Sequence, residues 1–240
     1  MYRISLYNLL ILFIFLQIFS KIQSNSSTTI SSIVNNETIP LLCSYCETKA
    51  CRCSSTYNTL NCSSYLLNLT FASNCVENQI WNLVDFSSRN FESFDSTQLL
   101  SLRMYRLLLK SNFIIKIYDH AFDSIADSLI ELDLQMNQIS NISSKWFNSK
   151  FHRLQILNLA LNQLETFDDF DHIHLPALRE LNLSGNQIEF FPKQIHQWIS
   201  LTKLDLSFNK LSSIPRFALF GLQNLKWLSL ASNRNLTCKY

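Results

Sequence analysis

Glycine is almost missing from this chain, with 2 residues in 240, and proline is sparse at 4. Phosphate-cradling loops, dinucleotide-binding turns and nucleophile elbows all need glycine where the backbone meets a ligand or reverses sharply, so those sites are excluded. Charge is also scarce, at 16%, and balanced, with 20 Lys+Arg against 18 Asp+Glu for a net +2. No field of one sign draws the protein toward phosphate backbones, and nucleic acid is not an expected partner. The sequence contains no HExxH or GxSxG phrase, and its 5 histidines are scattered. No catalytic residue, metal or cofactor is assigned, and the chain is not read as an enzyme. The densest set of potential ligands, Asp168, Asp169, Asp171, His172 and His174, falls between repeat positions and reads as a solvated loop. What is abundant is leucine, 40 residues in a chain that is 47% hydrophobic, enough to bury a core and to rule out disorder for most of the length.

An apolar run long enough to span a bilayer is missing too. The stretch from Leu6 to Phe19 carries no charge but is shorter than the ~20 residues a span requires. Polar Ser20, Lys21, Gln23 and Ser24 follow it, so residues 1–24 read as a secretory signal. An uncleaved anchor is the alternative, because no clean small-residue cleavage site precedes Asn25. Residues 25–40, rich in Ser, Thr and Asn, cannot bury enough surface to offset ordering entropy and read as a flexible tail.

Two features agree with export. Of the 7 cysteines, Cys43, Cys46, Cys51, Cys53, Cys62 and Cys75 crowd into one segment, a density suited to an oxidising compartment. Sequons stand at Asn25, Asn36, Asn61, Asn68, Asn141, Asn182 and Asn235 and offer N-glycan acceptors there.

The last two thirds of the chain repeat with a period of 23 to 25 residues. The phrase is LxxLxLxxNxL. Clear copies begin at Leu129, Leu154, Leu178 and Leu201, looser ones at Met104 and Leu225, and a degenerate one at Trp81, where Arg89 replaces the asparagine. Alternation within LxL sends leucines inward and the residue between them outward, and turns stacked ~4.8 Å apart build one parallel sheet. Asn112, Asn137, Asn162, Asn186, Asn209 and Asn233 stand at the bend, where an amide with donors and an acceptor satisfies backbone groups. Large apolar residues on the other side of each turn, among them Ile117, Phe122, Ile142, Phe147, Phe167, Phe170, Phe191, Ile195, Ile214 and Leu219, are expected to line the back of the core.

From about Cys43 to Cys238 the chain resembles the extracellular leucine-rich repeat proteins, in the 24-residue form found in Toll-like receptors, Slit-type guidance proteins and small leucine-rich proteoglycans. The resemblance implies an α/β repeat fold, a right-handed horseshoe solenoid with its parallel sheet on the concave face and a disulfide-bonded N-terminal cap. The family pattern implies Cys46 bonded to Cys53 and Cys51 to Cys62, leaving Cys43 and Cys75 to pair with each other; a zinc site is the alternative use of these cysteines. The expected organisation is a signal at 1–24, a tail at 25–40, a cap at 41–80, about seven repeats over 81–236, and the start of a C-terminal cysteine flank at 237–240. The family's second flank cysteine is missing at Tyr240, so Cys238 has no evident partner. Continuation of the protein past Tyr240, or a homodimer through this end or Cys238, would answer that; a membrane enters only with such a continuation or an uncleaved signal.

Function in such a scaffold belongs to outward positions. Arg106, Glu131, Asp133, Asn158, Glu180, Asp205, Phe208 and Trp227 are the candidates on the concave face, with Trp227 the preferred anchor because aromatics dominate binding hot spots. Seven strands make a face of roughly 30 by 12 Å, well below the ~800 Å² per partner of a standard interface, so a protein ligand needs the flanks as well. The expected partner is an extracellular protein or glycan, and the roles implied by the family are adhesion, matrix organisation, guidance or sensing.

Overall fold

A computed structural model describes residues 51–54, 56–63, 80–99, 102–166, 173–191, 195 and 198–237. The signal and tail, Cys43, Cys46, Cys75, Cys238, the sequons at Asn25, Asn36 and Asn68, and the segment holding Phe167, Asp168, Asp169, Phe170, Asp171 and His172 lie outside them. All described residues belong to one compact unit, Pro40–Tyr240.

The leucine alternation becomes a sheet of nine short strands in simple chain order among the described residues: β1 (Arg52–Ser54), β2 (Thr59–Asn61), β3 (Leu83–Asp85), β4 (Arg106–Leu108), β5 (Glu131–Asp133), β6 (Ile156–Asn158), β7 (Glu180–Asn182), β8 (Lys203–Asp205) and β9 (Trp227–Ser229). The first two pair antiparallel, and every later pair is parallel, with leucine beside leucine from Leu107 to Leu228. This is the leucine-rich solenoid, and the cap holds the disulfide between Cys51 and Cys62.

Each leucine column is sealed through the middle turns. Leu132, Leu157, Leu181 and Leu204 are at most 1% exposed. The bend asparagines form a second, polar ladder behind the leucines. Asn162 shows the unit: its Nδ2 donates to the carbonyls of Leu134, Leu159 and Ala160, and its Oδ1 accepts the Ile139 N–H of the preceding turn at 3.1 Å. Asn112, Asn137, Asn186, Asn209 and Asn233 repeat these cross-turn bonds. In the first turn Arg89 reaches the equivalent acceptor with a longer arm, its Nη1 donating to the Cys62 carbonyl at 2.7 Å.

Backs of the turns are irregular, with single 3₁₀ turns at Ser96–Gln98, Asp123–Ile125 and Ser144–Trp146. Ile117, Phe122, Ile142, Phe147, Phe191 and Ile195 are buried there, as the spacing predicts. Leu219 is a correction: it is 37% exposed, beside Phe217 and Phe220, which are more exposed still. These residues belong to the back of the turn that starts at Leu201, and no following back stands against them among the described residues.

Candidate binding surface

Outward positions form parallel columns because the strands are in register. In the first column Arg106 Nε donates to Glu131 Oε2 at 2.6 Å, Lys203 Nζ lies 3.4 Å from Glu180 Oε2, and the same ammonium sits 5.5 Å from the Trp227 ring centre. Hydrogen bonding to Glu131 raises the Arg106 pKa above its ordinary value. Three of the predicted charged candidates, Arg106, Glu131 and Glu180, are therefore held in two cross-strand pairs, Glu180 with Lys203. Being exposed, each pair contributes about 0–1 kcal/mol.

The middle column has a structural duty that the sequence reading did not assign. Asp85, Asp133, Asn158, Asn182 and Asp205 each use Oδ1 to accept the N–H two residues on, at 2.9, 2.9, 3.2, 3.1 and 2.9 Å. A short side chain with an oxygen at this point closes a local turn where the strand ends. The signal was present as Asp or Asn between the two leucines of four turns, and between Val84 and Phe86 in the first. Asp133 is also partly withdrawn from water: burial raises its carboxyl pKa, the Gln135 N–H opposes that rise, Lys110 lowers it, and Glu131 and Asp85 add to it.

In the third column, two places beyond the middle one, strand alternation turns Ala160 and Ser207 outward, yet they are buried at 1% and 6% exposure. A one-carbon side chain does not reach past its neighbours at 160, and Ser207 Oγ turns aside to donate to Asp205 Oδ1 at 2.6 Å.

The edge of the sheet carries what the sequence reading missed. The residue just before each bend position, Ser88, Ser111, Met136, Leu161, Gly185, Phe208 or Ser232, has φ between +54° and +68°. That conformation suits glycine and costs other L-residues roughly 1–2 kcal/mol. Yet three of the seven are large and apolar, and Met136, Leu161 and Phe208 are exposed at 51%, 49% and 64%. Leu161 leans over the one glycine in the series: a Cβ on Gly185 would meet Leu161 Cδ2 at 2.6 Å. Together with Trp227, 44% exposed at the far end of the sheet's opposite edge, they put large apolar groups on both sides of the outer face. Phe208 and Trp227 were named from the sequence. Met136 and Leu161 were legible only as the residue preceding Asn in each repeat.

Among the described residues no group of three or more His, Cys, Asp or Glu stands in position to hold a metal ion, and His174 is exposed. Also among them, no helix is long and apolar enough to cross a membrane.

The leucine rich repeat family pattern matches residues 127–188 and 199–239. Repeating sheet, asparagine ladder and family match coincide. Residues 127–188 and 199–239 carry leucine-rich repeats. Osteomodulin of Rattus norvegicus is 35% identical over 105 residues, 43% of this chain and 24% of that protein. Toll-like receptor 4 of Sus scrofa is 34% identical over 166 residues, 59% of this chain and 19% of that one. Among solved structures, the mouse RP105/MD-1 complex matches with TM-score 0.54 and 27% identity, covering 69% of this chain and 28% of that chain. The chain spans less than half the length of the curated relatives it matches.

Proposed function

We propose that this leucine-rich repeat protein is an extracellular recognition module that holds a protein partner against the edge of its sheet and the C-terminal end of its outer face. The observation that carries the reading is the set Met136, Leu161, Phe208 and Trp227: large apolar side chains left in water, three of them on a costly backbone conformation. Exposed apolar groups rimmed by polar ones mark contact surfaces, and aromatic anchors contribute most to them. Export is supported by the Cys51–Cys62 disulfide and by the cysteine density of the cap. In this reading 1–24 is a cleaved signal, 25–40 a tail, 41–80 the cap and 81–236 the repeats. Asp133, Asn158 and Asp205 serve mainly to close the strand ends, and the pairs Arg106–Glu131 and Glu180–Lys203 supply a polar rim.

The likeness to Toll-like receptor 4 supports a narrower version, in which the module is the outer part of a signalling receptor. A self-associating matrix protein is the third form of the same reading, and concentration-dependent dimers would reveal it.

The test is binding by the secreted full chain to intact cells and to deposited matrix, compared with Phe208→Ser, Leu161→Ser and Trp227→Ala. Loss of binding by tenfold or more in the Phe208 and Trp227 variants, with unchanged melting, is expected. Binding that survives all three substitutions overturns the surface assignment.

A further inference from the structure

The middle strands carry a natural comparison at one position. Asn158, Asn182 and Asp205 stand side by side in register on β6, β7 and β8, each with Oδ1 bound to the N–H two residues on. N-glycan attachment requires an asparagine amide and a hydroxyl two residues later. Asn158 is followed by Ala160 and has no hydroxyl; Asp205 is followed by Ser207 and has no amide. Of the three, Asn182 alone combines both, with Ser184 Oγ donating to its Oδ1 at 2.8 Å. That bond leaves Nδ2, the atom to which sugar attaches, with no protein partner among the described residues. The ladder asparagines are the opposite case: Asn186, four residues on, spends its Nδ2 on the Leu159 and Leu183 carbonyls, both at 2.9 Å. No ladder asparagine has Ser or Thr at the second following position.

We propose that Asn182 carries an N-linked glycan that stands over the middle of the outer sheet face and keeps a globular partner off the strands beside it. The inference rests on the extracellular reading above and sharpens it. Strands lie ~4.8 Å apart, so a bulky sugar on β7 covers its neighbours β6 and β8 as well. Contact then falls on the edge, where Met136, Leu161 and Phe208 project. Asn61 repeats the same side-chain arrangement with Ser63 at the cap end, and a sugar there leaves the middle open.

The experiment is peptide mass mapping of the full chain secreted from eukaryotic cells, after enzymatic deglycosylation in heavy-oxygen water, which marks each formerly glycosylated asparagine. Conversion of most Asn182 to labelled aspartate is expected. Ser184→Ala removes that label alone, and Asp205→Asn adds a labelled site one strand over. Label at exposed Asn141 or Asn235 with unmodified Asn182 overturns this inference and leaves the extracellular reading standing. A chain that is retained in the cell with no sequon labelled overturns both.

Discussion

The middle turns and the last of the described turns carry the same phrase with different results. Leu157, Leu181 and Leu204 are sealed, whereas Leu225, Leu228, Leu230 and Leu236 are only partly buried against the core. The backs differ in the same way: Phe122 and Phe147 are covered, while Phe217 and Phe220 lie open. A motif leucine owes its burial to the turns on both sides of it, not to the motif. In a solenoid each repeat contacts only its neighbours, so local stability should follow the number of neighbours a turn has.

The sharpest way to break that comparison is one substitution made in both places. Leu181→Ala should cost about 2–5 kcal/mol, as sealed leucines do, and Leu228→Ala less than half as much, read from urea midpoints. Equal losses would mean that the end turn is as tightly held as the middle.

The asparagines give a second contrast, between the ladder and the outer column. Asn162→Ala orphans the Ile139 N–H and the carbonyls that its Nδ2 served, at a cost of about 1–3 kcal/mol. Asn158→Ala loses two partly exposed bonds, the turn bond from the Ala160 N–H and the Nδ2 donation to Gln135 Oε1, and should cost at most about 1 kcal/mol. A reversal of that order, measured by thermal or urea unfolding, would show that the outer column rather than the ladder holds the turns together.

How legible this was in the sequence differs by region for physical reasons. The strands and the ladder follow from spacing, since period-2 alternation and one amide per turn are local facts; Leu132 and Asn137 could be placed without knowing any neighbour. Arg89 could be aligned with the ladder, but its reach to the Cys62 carbonyl depends on how far the guanidinium extends across to the cap. Leu219 was misjudged because its cover would come from another turn. The burial of Ala160 and Ser207 was not legible because facing outward does not expose a side chain too short to reach solvent. Met136 and Leu161 were missed because the bend before each asparagine needs a left-handed backbone, where glycine or asparagine is the usual expectation.

A smaller effect separates Asp133 from the remaining outer charges. Burial raises its pKa above the ordinary 3.8, so its favourable contribution is complete below that value and is lost as pH rises through the higher folded pKa. Asp133→Asn keeps an oxygen for the Gln135 N–H. It should therefore stabilise the protein at neutral pH and give no gain below about pH 3.8, seen as melting temperatures that diverge only on the alkaline side of that point. Smallest of all, Trp227→Ala should shift stability by no more than about 0.5 kcal/mol, because a surface side chain held by one cation–π contact contributes little to folding. A large loss there would make Trp227 a structural residue and remove it as an anchor.

Native-state hydrogen exchange, resolved to individual strands, tests most directly whether neighbours determine the stability of each turn. The amides of Ile156–Asn158, Glu180–Asn182 and Lys203–Asp205 should exchange slowest, and those of Trp227–Ser229 at least tenfold faster. Exchange at Trp227–Ser229 as slow as in the middle strands would contradict the account.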